Sequence, residues 1–158
     1  MRNKAKFLTH GAVLAAVYVA LTHLQNTLLP GSGSNMIQVR VAEAMCMFAF
    51  FTPAAIPGLS LGCLLFNLTS GAALPLDFLV GTAATALAAT AMWYCRKWPA
   101  LGFLMPVLFN GLLVGWELFV YVGGGFWVNA FYVAVGEALA LLLGVPLYFA
   151  LKKAKINF

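Results

Sequence analysis

The sequence predicts an all-α integral membrane protein, six transmembrane helices packed as a single domain over residues 1–158. Three observations carry this. Apolar side chains make up 63% of the chain and charged ones only 8%, against roughly 25% charged in a soluble domain. Turn-forming clusters divide the apolar sequence into pieces that approach the ~20 residues needed to cross a ~30 Å hydrocarbon core. The basic residues gather at alternate ends of those pieces, as expected when loops rich in Lys and Arg stay in the cytoplasm.

The first span runs from Leu8 to Leu29. Arg2, Lys4 and Lys6 ahead of it imitate a secretory signal, but the apolar run exceeds the ~7–15 residues of a signal core and lacks a small-residue cleavage site, so it is read as an uncleaved helix. Within it, HGAVLAAVYVALTH sets Ala12, Ala16 and Ala20 at i, i+4 spacing on one face. Small residues in this pattern let two helix backbones approach closely in lipid, and the partner is either another span or another protein. His10 and His23 flank the stripe in interfacial or capping roles; no metal site is expected.

The second span, Met36 to Phe51, follows the loop PGSGSN; the third, Ala54 to Leu68, begins within the turn-forming cluster TPAAIPG at Thr52. Both are short, so tilt or proline-broken ends buried in protein must make up the length. Pro75 to Tyr94, Ala100 to Val122 and Trp127 to Leu151 complete the set, separated by CRKWP and GGG. Arg2, Lys4 and Lys6, then Arg96 and Lys97, then Lys152, Lys153 and Lys155 all fall on one side, which places both termini in the cytoplasm of a cell-membrane protein. The net charge of +5 is therefore a matter of topology. Nucleic-acid binding is not expected, because no long basic run with interleaved aromatics is present. Cys46, Cys63 and Cys95 are scattered through apolar surroundings without disulfide or metal spacing and are read as free, packed thiols.

On this topology the polar residues collect in the outer half. Arg40 and Glu43 lie near the outer end of span two, Asn67 ends span three and Asp77 begins span four. Asn110 and Glu117 lie on span five, Asn129 and Glu137 on span six. An ionised side chain near the bilayer centre costs on the order of 2.5–3.5 kcal/mol even on the mildest scale, so these groups face the bundle interior. Arg40 and Glu43, at i, i+3, are expected to share a helix face and offset each other. Glu117, Glu137 and Asp77 still leave the region negative, which suits a small ligand presenting hydrogen-bond donors or positive charge, since a carboxylate accepts two parallel hydrogen bonds. The alternative is that these groups only pair among themselves and fix helix packing. Trp116, Tyr121, Trp127 and Tyr132 stand near the same rim, as interfacial anchors or, for one or two such as Trp116, as stacking surfaces for a planar ligand. Trp93, Tyr94 and Trp98 belong to the inner belt.

No GxxxxGK[ST] or HExxH motif occurs, and the one GxSxG match, GLSLG from Gly58, falls inside an apolar span, so neither an ATPase nor a hydrolase is indicated, and no cofactor is expected. Energy for moving a ligand must come from an ion gradient or another subunit.

IQVRVAEAM from Ile37, FFTPAAIPGLSLGCLLFNL from Phe50 and DFLVGTAATALAA from Asp77 closely resemble the QueT family, the queuosine-precursor-specific substrate-binding (S) components of energy-coupling factor (ECF) transporters. The strongest likeness covers residues 37–89, with departures from the family pattern at Ala42 and Met45. The resemblance implies an S-component bundle of six helices that captures a 7-deazaguanine, such as queuine or its aminomethyl precursor, from outside. It implies docking on a module made of a transmembrane coupling protein and two ATPases, with Ala12, Ala16 and Ala20 as the docking face, and toppling in the membrane to deliver the ligand. On such a ligand, with no family motif fixing the roles, Glu137 or Glu117 is expected to take the guanine edge, Glu43 or Asp77 to meet the ligand amine, and Arg40 to orient Glu43 or donate to the ligand carbonyl. Rival readings are an S component for another vitamin or nucleobase, an ion-coupled carrier relaying protons through Glu43, Glu117 and Glu137, and a ligand-free assembly protein; the missing internal repeat argues against the carrier.

Overall fold

A computed structural model describes residues 2–32, 37–71 and 74–154. Met36, most of the loop after Pro30 and Lys155, which entered the expectations above, lie outside the described residues. The described chain is all-helical: α1 (Arg2–Leu28), a 3₁₀ helix (Val41–Phe50), α2 (Ala55–Thr69), α3 (Asp77–Tyr94), α4 (Pro99–Tyr121) and α5 (Phe126–Ala154). The six-helix count matches the sequence. Lys4–Leu28, Pro99–Tyr121 and Phe126–Ala154 are long and apolar enough to cross a membrane by length and composition.

The second expected span differs from the rest. Instead of a helix from Met36 to Phe51, residues Gln38 to Arg40 are irregular and only Val41–Phe50 coils, as a 3₁₀ helix. At ~2.0 Å per residue this covers ~20 Å, well short of the bilayer. Pro53 follows closely, and a residue before proline is biased away from helical geometry. Three residues per turn align side chains in three rows, one of them Glu43, Cys46 and Ala49, and seven of the ten residues are buried. This short helix is the hub of the fold, touching each of the five α-helices, while α1 to α5 each pack on the next in chain order.

Close backbone approach makes the packing possible. A Cβ added at Gly62 would sit 2.7 Å from Tyr18 Cβ, fastening α2 to α1, and one at Gly115 would sit 2.6 Å from Ala130 Cα, fastening α4 to α5. Lipid tails are as apolar as leucine, so such van der Waals fit, rather than hydrophobic expulsion, holds helices together in a membrane. Below the polar region Tyr148 meets both Phe50 and Phe103 edge-on, with Phe50 and Tyr148 ring centroids 5.2 Å apart, and the two phenylalanines lie tilted to each other. Leu8, Val13, Leu24, Leu79, Leu142 and Phe149 turn outward, as lipid-facing side chains do.

Successive elements alternate in direction. The start of α1 lies beside Ala54 and Gly58, and Phe50 lies against Gly102. The exposed Lys4, Lys6, Arg96, Lys97, Lys152 and Lys153 therefore collect at one end of the bundle. Asn67, Asp77 and Gln25 lie toward the other.

Candidate ligand-binding site

Arg40 stands just ahead of the 3₁₀ helix with extended backbone, φ −104° and ψ 102°. It does not pair with Glu43 as its i, i+3 spacing suggested. Being outside the helix, it reaches across to α3, where its guanidinium lies 3.9 Å from Asp77 Oδ1. Asp77 Oδ2 accepts the Leu74 N–H at 2.8 Å, and the Asn67 amide donates to the Asp77 carbonyl at 2.7 Å, which staples the end of α2 to the start of α3. Glu43 turns the other way: its carboxylate accepts the Tyr18 hydroxyl of α1 and, at 3.2 Å, the Cys46 thiol one 3₁₀ turn on.

Two cavities meet at Arg40. The outer one has a volume of about 340 Å³ and is lined by Gln25, Gln38, Arg40, Asn67 and Asp77 among others; it lies within the ~300–1,000 Å³ range of small-molecule sites. The inner one, bounded by Arg40, Glu43, Asn110 and Glu137 with Val114 and Val133, measures only about 10 Å³, room for about one water. A larger space of about 650 Å³ between α4 and α5 is apolar apart from Lys152 at its edge and shares no residue with either.

Several buried polar atoms around these cavities find no hydrogen-bond partner among the described residues: both carboxylate oxygens of Glu117, Glu137 Oε1, Asn110 Nδ2 and Asn67 Oδ1. Glu117 is completely buried and neighbours the Asp77 carboxyl, and Glu137 neighbours Asn110. Native proteins pair nearly all such groups. Acceptors and donors of this density without partners are unusual in a folded interior.

The model of one family, described as QueT transporter, matches residues 8–153, nearly the whole chain. The chain belongs to the QueT transporter family. No curated protein and no solved structure matches it. The QueT match makes it a membrane transporter.

Of the expected QueT site residues, Arg40, Glu43, Asn110 and Glu137 line the inner chamber, and Arg40, Asn67 and Asp77 the outer cavity. Glu117 is buried beside Asp77. Two are not brought in. Trp116 is 47% exposed, since one residue of helix turns it about 100° from Glu117 onto the outer surface. Asn129 donates to the Gly123 carbonyl at 2.9 Å and holds the α4–α5 turn. Tyr18, Thr22, Gln25 and Gln38 were missed. Tyr18, Thr22 and Gln25 share the inner face of α1 at i, i+4 and i, i+7, and their spacing was visible beside the alanine stripe. Ala12, Ala16 and Ala20 themselves are exposed, so the stripe has no partner within the described chain.

Proposed function

We propose that this transporter is an S component that captures a 7-deazaguanine queuosine precursor from outside and passes it inward on an ATP-driven coupling module. The observation that carries the reading is the set of unpartnered atoms on Glu117, Glu137 and Asn110. A guanine edge offers two adjacent N–H donors and a carbonyl. Glu137 accepts the donors as a parallel pair, and Asn110, or Arg40 after release from Asp77, donates to the carbonyl. Glu117 with Asp77 then receives the amine of the aminomethyl form, where two carboxyls meet one cation. Glu43, already engaged by Tyr18 and Cys46, shapes the chamber rather than taking the amine.

The exposed alanine face of α1 supports docking on a membrane coupling protein that is itself linked to two ATPases. The clustering of basic residues at the end of the bundle where α1 begins supports cytoplasmic termini.

The test is calorimetric titration of the solubilised protein with queuine, the aminomethyl and cyano deazaguanines, guanine and riboflavin. One-to-one binding of a deazaguanine, with guanine weaker, is the expected result. Folded, ligand-free protein that binds no base removes the reading, and uptake in vesicles that follows an ion gradient without ATPases replaces it with a carrier.

A further inference from the structure

We infer that Tyr18 and Gln25 are positioning residues that tie the one compliant wall of the inner chamber to α1, so that ligand occupancy is transmitted to the helix bearing the exposed alanines. The choice of ligand rests on the proposed function; the tether does not.

A chamber of about 10 Å³ admits no organic ligand, so a wall must move. Two of its three walls are locked together. Asn110 and Val114 on α4 face Val133 and Glu137 on α5, and these helices meet at Gly111 and Gly115, whose backbones leave no room beyond Ala134 and Ala130. The third wall is Gln38 to Glu43. Gln38 to Arg40 lie outside helix and strand, with Val39 N–H donating to the Ser32 carbonyl at 3.1 Å and only the Arg40 carbonyl entering the first 3₁₀ turn, from Glu43 N–H at 2.9 Å, and the Gln38 carbonyl is pressed against Gly136, where an added Cβ would approach to 2.3 Å. This segment is free to yield only away from α5.

Besides the Arg40–Asp77 ion pair to α3, its side-chain holds come from α1. The Gln25 carboxamide brackets the segment, Oε1 accepting the Val41 N–H at 2.7 Å and Nε2 donating to the Val39 carbonyl, while Nε2 also reaches Ser32 Oγ at 2.8 Å. Two turns earlier the buried Tyr18 hydroxyl donates to Glu43. Tyr18 and Gln25 project from the face of α1 opposite to Ala16 and Ala20. A wall displaced by ligand therefore pulls on or reorders α1 through these two side chains, and a binding event in the chamber becomes a change in the proposed docking helix. This supplies the differential contact between states that any coupling between two sites requires.

Hydrogen exchange of the full chain, followed by mass spectrometry with and without aminomethyl deazaguanine, tests the inference. In the parent protein the ligand should slow exchange both at residues 38–43 and in α1 around Tyr18 to Gln25. In Tyr18→Phe, protection of 38–43 should persist while that of α1 falls about threefold to tenfold, the equivalent of one net hydrogen bond. A merely structural tyrosine would alter both regions together. Unchanged α1 protection in Tyr18→Phe, or ligand protection confined to 38–43 in the parent, overturns the inference. If Tyr18→Phe does not fold, Gln25→Met is read in the same way. A ligand-free cycle separates this from the functional reading: Glu43→Leu, which removes the acceptor, should speed α1 exchange in the parent and add nothing in Tyr18→Phe. Additive effects overturn the tether even if no deazaguanine binds, a result that by itself would remove only the proposed function.

Discussion

The unpaired carboxylates are the most informative residues in the molecule. Glu117 and Glu137 carry buried oxygens with no donor among the described residues, an arrangement that weakens the empty protein and is tolerated where a ligand completes it. Glu117→Gln and Glu137→Gln should therefore act in opposite directions on two observables. Each should weaken deazaguanine binding by about 1.5–3 kcal/mol, the worth of a hydrogen bond to a charged group, and each should leave the ligand-free melting temperature at or above that of the parent. Titration and thermal unfolding of the same preparations check both halves; a binding loss accompanied by a lower melting temperature would mean that the carboxylates hold the bundle together instead. The positions of these two glutamates were legible in the sequence because the bilayer makes any buried charge expensive. The pairing of Arg40 was not. Its spacing from Glu43 implied a shared helix face, but the backbone before Val41 is extended, and an arginine outside a helix is free to cross to Asp77.

At the scale of elements, the five α-helices were readable from apolar length and turn residues, with ends shifted by a few residues, because those signals are local. The second span was not readable, because an apolar run of this length has no periodicity that separates a 3₁₀ helix from an α-helix, and its form depends on being surrounded by all five neighbours. The contacts between elements also depend on glycines whose roles only the packing reveals. Gly115→Ala should destabilise the α4–α5 pair by about 1–3 kcal/mol through overpacking against Ala130. Gly71→Ala, with nothing within 4 Å of the added Cβ, should change stability by less than about 0.5 kcal/mol. Denaturant unfolding in detergent distinguishes the two; equal effects would show that the α4–α5 approach is looser than its backbone spacing.

The whole molecule presents two faces of α1 to two different environments. Its inner face holds Tyr18, Thr22 and Gln25 in the polar interior, and its outer face shows Ala12, Ala16 and Ala20 to the surroundings. An exposed stripe of alanines is a poor lipid-facing surface compared with the leucines elsewhere on the exterior, since it buries little area against acyl chains, but it is a good surface for a second helix at close range. A bulky substitution there should leave the fold and the ligand chamber intact while preventing close approach. Ala16→Trp is therefore expected to bind deazaguanine within about twofold of the parent, since no contact near the chamber changes, yet to lose association with the coupling protein and with it ATP-dependent uptake. Titration on the isolated protein and co-purification with the coupling module read these separately. Loss of binding together with docking would mean that the outer face of α1 supports the bundle, whereas retained docking would move the interface to another helix.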